Sequence, residues 1–194
     1  MKIRVRFTAI LLILSLLLTK SYYIFILLLA AAIHEIGHIL MAKLTRVRMS
    51  KLELDIFGAS LVTQNSISSY SAELKVAIAG PLFNFFSAAT VFFFCRFNPQ
   101  NKYTELFLVS SLFLGIINIL PIRSFDGGRI FYIILAEKLG PQKAYSCITI
   151  SSFLIIFSLW TFSIYLILKF SFSLSLFIFS VSLFLKLFVK ETFE

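Results

Sequence analysis

Long apolar stretches alternate with short polar ones along almost the whole chain. Tyr22–Leu44, Ala72–Phe97, Tyr103–Leu120, Ala144–Leu168 and Phe172–Val189 are each nearly free of charge, and a shorter run covers Val5–Leu18. A helix needs roughly 20 residues, at ~1.5 Å rise each, to cross the hydrocarbon of a bilayer. The pattern therefore predicts an all-α polytopic membrane protein with about six transmembrane helices. Ile130–Leu139 reads as an additional short helix ending at Gly140-Pro141.

Two stretches break the pattern. In the first, Lys51–Phe57 alternates polar and apolar residues with period two, Gly58 interrupts, and Ala59–Thr63 is fit to return. This predicts a small β-hairpin or sheet inserted between the second and third spans. The second break is Pro121–Arg129, at the end of the fourth span. Irregular backbone at that depth is tolerated only where it is buried in protein or lines a wet cavity. Inside the third span, Pro81 is expected to kink the helix and Gly80 to allow close helix approach. The Ser and Thr residues of the last two spans suggest no chemistry.

Composition agrees with the pattern. The chain has 194 residues, 59% hydrophobic and 14% charged, against about 25% charged in an ordinary soluble domain. We read one integral membrane domain, 1–194, with a core at 24–139 and additional spans at 144–168 and 172–189. The net charge is +9. In a soluble protein that would point to nucleic acid, but here the basic residues flank the spans, so no nucleic acid is expected. Of the 18 Lys and Arg, Lys20, Arg96, Lys102 and Lys169 fall on one side of a six-span topology and all the others on the opposite side. The positive-inside rule then places both termini, the strand segment and the Pro121–Arg129 break in the cytoplasm. Cys95 and Cys147 lie at different span ends and read as packing residues.

The chemistry concentrates in the second span. The chain has two histidines, His34 and His38, in the sequence His34-Glu35-Ile36-Gly37-His38. Positions i and i+4 share a helix face, so both imidazoles can reach one metal ion. Glu35 lies beside them as a candidate base. Ionisable groups inside an apolar span are expensive and usually functional. A catalytic zinc takes three protein ligands, and with no third histidine the last should be a carboxylate. Asp126, in the Pro/Gly-framed break on the same membrane side, is favoured over Glu137 on the short helix. The glycines after Asp126 are expected to let backbone approach the metal.

Three segments together, His34-Glu35-x-x-His38, Ala79-Gly80-Pro81-x-x-Asn84 and Asn118-x-x-Pro121-x-x-x-x-Asp126-Gly127, resemble the site-2 protease family of intramembrane zinc metalloproteases in order and spacing. The chain is most similar to the six-span bacterial branch of sporulation factor B proteases, which release a membrane-tethered sigma-factor precursor. The resemblance covers roughly residues 24–139. It implies Zn²⁺ held by His34, His38 and Asp126, Glu35 as catalytic base, and Asn118 holding substrate near the site. We place Asn84 and Leu54 with Asn118 as substrate-binding candidates, Leu54 because a strand edge can pair with an extended substrate. A sheet that only caps the helices is an equal alternative. The implied partners are a membrane-tethered protein substrate, regulatory membrane proteins and the lipid bilayer of the cell membrane. Neither a PDZ insert nor a nucleotide-sensing domain is found in these residues. An inactive metal-binding scaffold, or a membrane-anchored protease acting on soluble chains, are the alternatives.

Overall fold

The computed structural model describes residues 2–5, 22–47, 49–55, 58–63, 69–97, 101–170 and 174–188. They form three strands, β1 (Lys2–Val5), β2 (Met49–Asp55) and β3 (Gly58–Thr63), and six helices. The helices are α1 (Tyr22–Leu44), α2 (Tyr70–Phe97), α3 (Lys102–Ile119), α4 (Asp126–Leu139), α5 (Pro141–Phe170) and α6 (Ser175–Phe188). Four of them, α1, α2, α3 and α5, are long and apolar enough to cross a membrane. The 14 residues of α4 and the 14 of α6 would each reach only about 21 Å at 1.5 Å per residue. The span expected at Val5–Leu18 lies outside the described residues, except that Val5 ends β1. The chain divides into two compact units, Met1–Ile117 and Asn118–Glu194.

In the first unit, α1 shows why a helix apolar all round suits a bilayer. Its buried residues, Ala30, His34, Gly37, His38 and Ala42, are small or polar and recur at helical spacing. Phe25, Leu29, Ile36 and Leu40 are exposed on other faces. The buried positions of α2 are likewise small or polar, including Ala77, Ala79, Gly80, Asn84 and Ala88, while Phe86 and Phe93 are exposed. Helices in lipid gain little by hiding large apolar side chains from one another, and associate through close backbone approach and polar contacts instead. Gly37 supplies the approach: a β-carbon there would stand 2.7 Å from the Ala79 carbonyl oxygen.

The end of α1 is fixed by a Schellman arrangement. Val47 N–H donates to the Ala42 carbonyl (3.0 Å) and Arg46 N–H to the Lys43 carbonyl (3.3 Å). Arg46 takes the left-handed conformation, φ 56°, where glycine is the commoner occupant. Val47 then folds back onto Ala42 and onto Val76 of α2. This small cluster locks the end of the histidine helix against the start of α2.

The strands form one sheet in the order β1-β2-β3. β2 pairs antiparallel with β3 and parallel with β1. Leu54 is in register with Val5 on one side and Ala59 on the other. Among the described residues the outer edges of the sheet therefore belong to β1 and β3. The backbone at Leu54 is already flanked on both sides, so an extended substrate would have to add elsewhere on the sheet.

In the second unit the break after α3 is closed by hydrogen bonds. The Ser151 hydroxyl donates to the Pro121 carbonyl (2.9 Å), and Arg123 N–H donates to the Ser152 hydroxyl oxygen (2.8 Å). Those serines of α5, in which the sequence suggested no role, thus meet the requirement that buried irregular backbone be satisfied within the protein. Ile122, Ile156 and Leu183 form the buried core beside them.

Candidate metal centre

His34 and His38 are both 5% exposed and face α2. The Nδ1 of His38 lies 2.8 Å from the Val76 carbonyl oxygen. A carbonyl can only accept, so Nδ1 carries the proton and Nε2 presents a lone pair. Pro81 has no N–H to give the Ala77 carbonyl, which loosens the ladder of α2 in this turn. The neighbouring Val76 carbonyl is the one turned to the histidine.

The two Nε2 atoms are 3.2 Å apart, with the rings nearly perpendicular at 81°. Two nitrogens bound tetrahedrally to one zinc, at about 2.0–2.1 Å each, stand roughly 3.3 Å apart. The pair is therefore spaced as two ligands of one ion. The volume beside them is kept open by Gly80. A β-carbon at that position would collide with His38 Nε2, and would lie 2.5 Å from His38 Cε1 and 2.8 Å from His34 Nε2. The residues fit a zinc ion on three grounds: matching nitrogen separation, a tautomer fixed by a backbone carbonyl, and a cradle that any side chain would fill.

Glu35 follows His34 on α1 and is half-buried. Asn84 is wholly buried, and its side-chain nitrogen lies 3.1 Å from His34 Nδ1. The sequence placed Asn84 among the substrate-binding candidates; the structure places it on the far side of a histidine ring. Sequence reasoning also missed Val76, because the group that matters there is a backbone carbonyl. The buried role of Gly80 was half visible, since its place within the Gly-Pro segment signalled close approach but not against what.

Asp126 and Asn118 belong to the second unit. Asn118 is the penultimate residue of α3. Asp126 opens α4 and is half-buried, so the helix starts four residues earlier than expected. A carboxylate in the first turn favours that start through the helix dipole. Gly127 and Gly128 have a different use from the one anticipated. A β-carbon at Gly127 would run into the Ile119 carbonyl, and one at Gly128 into the Ile122 carbonyl. The glycines let α4 begin directly against the preceding chain, and so aim Asp126 by backbone packing. Glu137 is exposed on the same helix.

Comparison with known proteins bears on these residues. The sequence model for peptidase family M50 matches residues 22–101 and 97–159. Stage IV sporulation protein FB of Bacillus subtilis is 31% identical over 121 residues, 61% of this chain and 42% of that protein. A zinc metalloprotease of Methanocaldococcus jannaschii is 35% identical over 127 residues, 62% of this chain and 37% of that protein. These matches cover less than half the length of either relative. The solved structure of a site-2 protease from Methanocaldococcus jannaschii is alike in fold, with a TM-score of 0.72 at 24% identity, covering 95% of this chain and 88% of that one.

Proposed function

The chain belongs to peptidase family M50, and on that premise we propose that it is a zinc metalloendopeptidase cutting a membrane-tethered protein in or near its transmembrane segment. The observation that carries the reading is the buried histidine pair, with Nε2 atoms 3.2 Å apart on a helix apolar enough to cross a membrane. His34, His38 and Asp126 would hold the ion. When bound, zinc lowers the pKa of a water molecule and polarises a carbonyl. Glu35 takes a proton at its carboxylate and returns it to the leaving amine. The His38 ring is held by Val76 so that its lone pair, not its proton, faces the site. Asn118 positions substrate. The likeness to a stage IV sporulation protein makes a tethered transcription-factor precursor, or its regulator, the substrate class to try first.

Glu35→Gln separates catalysis from metal binding. The variant should hold zinc as the parent does and lose cleavage by about 10²–10⁴-fold, the usual contribution of a general base. Zinc content and turnover of the purified proteins, measured with a co-expressed tethered substrate, decide it. Unchanged turnover would remove Glu35 from the mechanism.

We also propose that the termini and the site face the cytoplasm, on the strength of the basic-residue asymmetry. A cysteine at Ser50 should react only with membrane-permeant reagents in intact cells, and one at Asn101 should also react with impermeant ones. The opposite labelling pattern reverses the orientation.

A further inference from the structure

Asn84 reaches His34 with one end of its amide, while its Oδ1 is buried and has no hydrogen-bond partner among the described residues. With the amide nitrogen donating to Nδ1, the His34 proton must sit on Nε2. It then points at His38 Nε2, 3.2 Å away. That gives a consistent chain of donors from Asn84 through His34 and His38 to the Val76 carbonyl. It also occupies the one His34 nitrogen that faces the Gly80 cradle. In this arrangement His34 has no lone pair to offer a metal there.

The two ends of an amide have nearly the same shape, so a half-turn exchanges them without displacing neighbours. The outer end has no partner to lose. After the turn, Oδ1 accepts from His34 Nδ1–H, and both Nε2 lone pairs face each other across the cradle. Two opposed lone pairs 3.2 Å apart repel unless a cation lies between their directions. We infer that Asn84 is a positioning residue: its amide oxygen, turned to His34 Nδ1, sets the tautomer in which this histidine binds the metal. The inference rests on the zinc reading above. It makes His34 the adjustable ligand of the pair. His38 is fixed by a backbone carbonyl that can only accept, whereas His34 is set by a group that can do either.

The test uses full-length protein in detergent, with zinc affinity measured by chelator competition. Asn84→Asp retains an acceptor and loses the donor. It should bind zinc at least as tightly as the parent. Asn84→Leu, with neither group, should bind about 10–100-fold more weakly, as is typical for loss of an outer partner of a ligating histidine. A purely packing role would be served better by leucine than by a buried aspartate, so the order of the two variants is informative. Weak binding in the folded aspartate variant, or full binding in the leucine variant, overturns the inference. The chain has two histidines, so ¹⁵N spectra of the histidine-labelled, zinc-loaded parent give a second answer without substitution. Protonated Nδ1 on both rings supports the inference; a protonated Nε2 on His34 overturns it. If the parent itself takes up no zinc, the metal reading falls and this inference with it, a result distinct from failure of the variants alone.

Discussion

Gly80→Ala should abolish zinc binding while leaving a folded helical protein. The added methyl group would collide with His38 Nε2 and lie 2.8 Å from His34 Nε2. Both atoms belong to short rings on a packed helix, so neither can swing aside as the end of a flexible side chain would. His38 could retreat only by giving up its 2.8 Å bond to the Val76 carbonyl. The expected loss of affinity exceeds the ~10–100-fold typical of losing one outer partner, because both ligands are displaced together. Gly115→Ala is the matched control. Its β-carbon would meet the Phe85 ring at 3.0 Å, a packing adjustment with no histidine involved, so that variant should keep its zinc. The measurement is zinc stoichiometry after dialysis, with helix content by circular dichroism. A Gly80→Ala protein that retains one zinc would show that the metal does not sit in this cradle.

Asp126→Asn should remove zinc nearly as completely, for an electrostatic reason. The two imidazoles are neutral donors, and Asp126 would be the only charged one of the three. The substitution keeps the size of the side chain and loses the charge. Its effect on α4 is small, since a first-turn carboxylate contributes about 0.3–1 kcal/mol to a helix. Glu137→Gln, on the exposed side of the same helix, changes the net charge equally and should leave zinc and activity near parental levels. Zinc content of the two variants, measured side by side, separates a specific ligand from a general charge effect. Metal lost from the Glu137 variant and kept by the Asp126 variant would show that Asp126 is not the third ligand.

The parts of the site legible in the sequence are those that side-chain periodicity controls. His34 and His38 share a face because four residues make about one helical turn, and the apolar run around them announces a span. Asp126 stood out because it interrupts an apolar pattern. What periodicity does not carry is backbone chemistry. The Val76 carbonyl that orients His38 belongs to a residue that reads as ordinary filling. The helical start at Asp126 was hidden because Gly127 and Gly128 look like breakers, and become useful only once the Ile119 and Ile122 carbonyls lie against them. Ser151 and Ser152 looked inert for the same reason, since their partners are backbone groups about 30 positions away. Leu54 shows the converse limit. Alternation predicts a strand but says nothing of which edge stays open, and that depended on β1, nearly 50 residues earlier.

The contact between α1 and α2 also constrains how such a protein can be controlled. Gly37 against Ala79, the cap of α1 against Val76, and the Val76 carbonyl on His38 all lie along one seam. An inhibitor that wedged this seam apart would break the bond that sets the His38 tautomer, and with it the arrangement in which both Nε2 atoms could share one ion. On the zinc reading proposed above, control that spares the metal would act on a surface away from this seam.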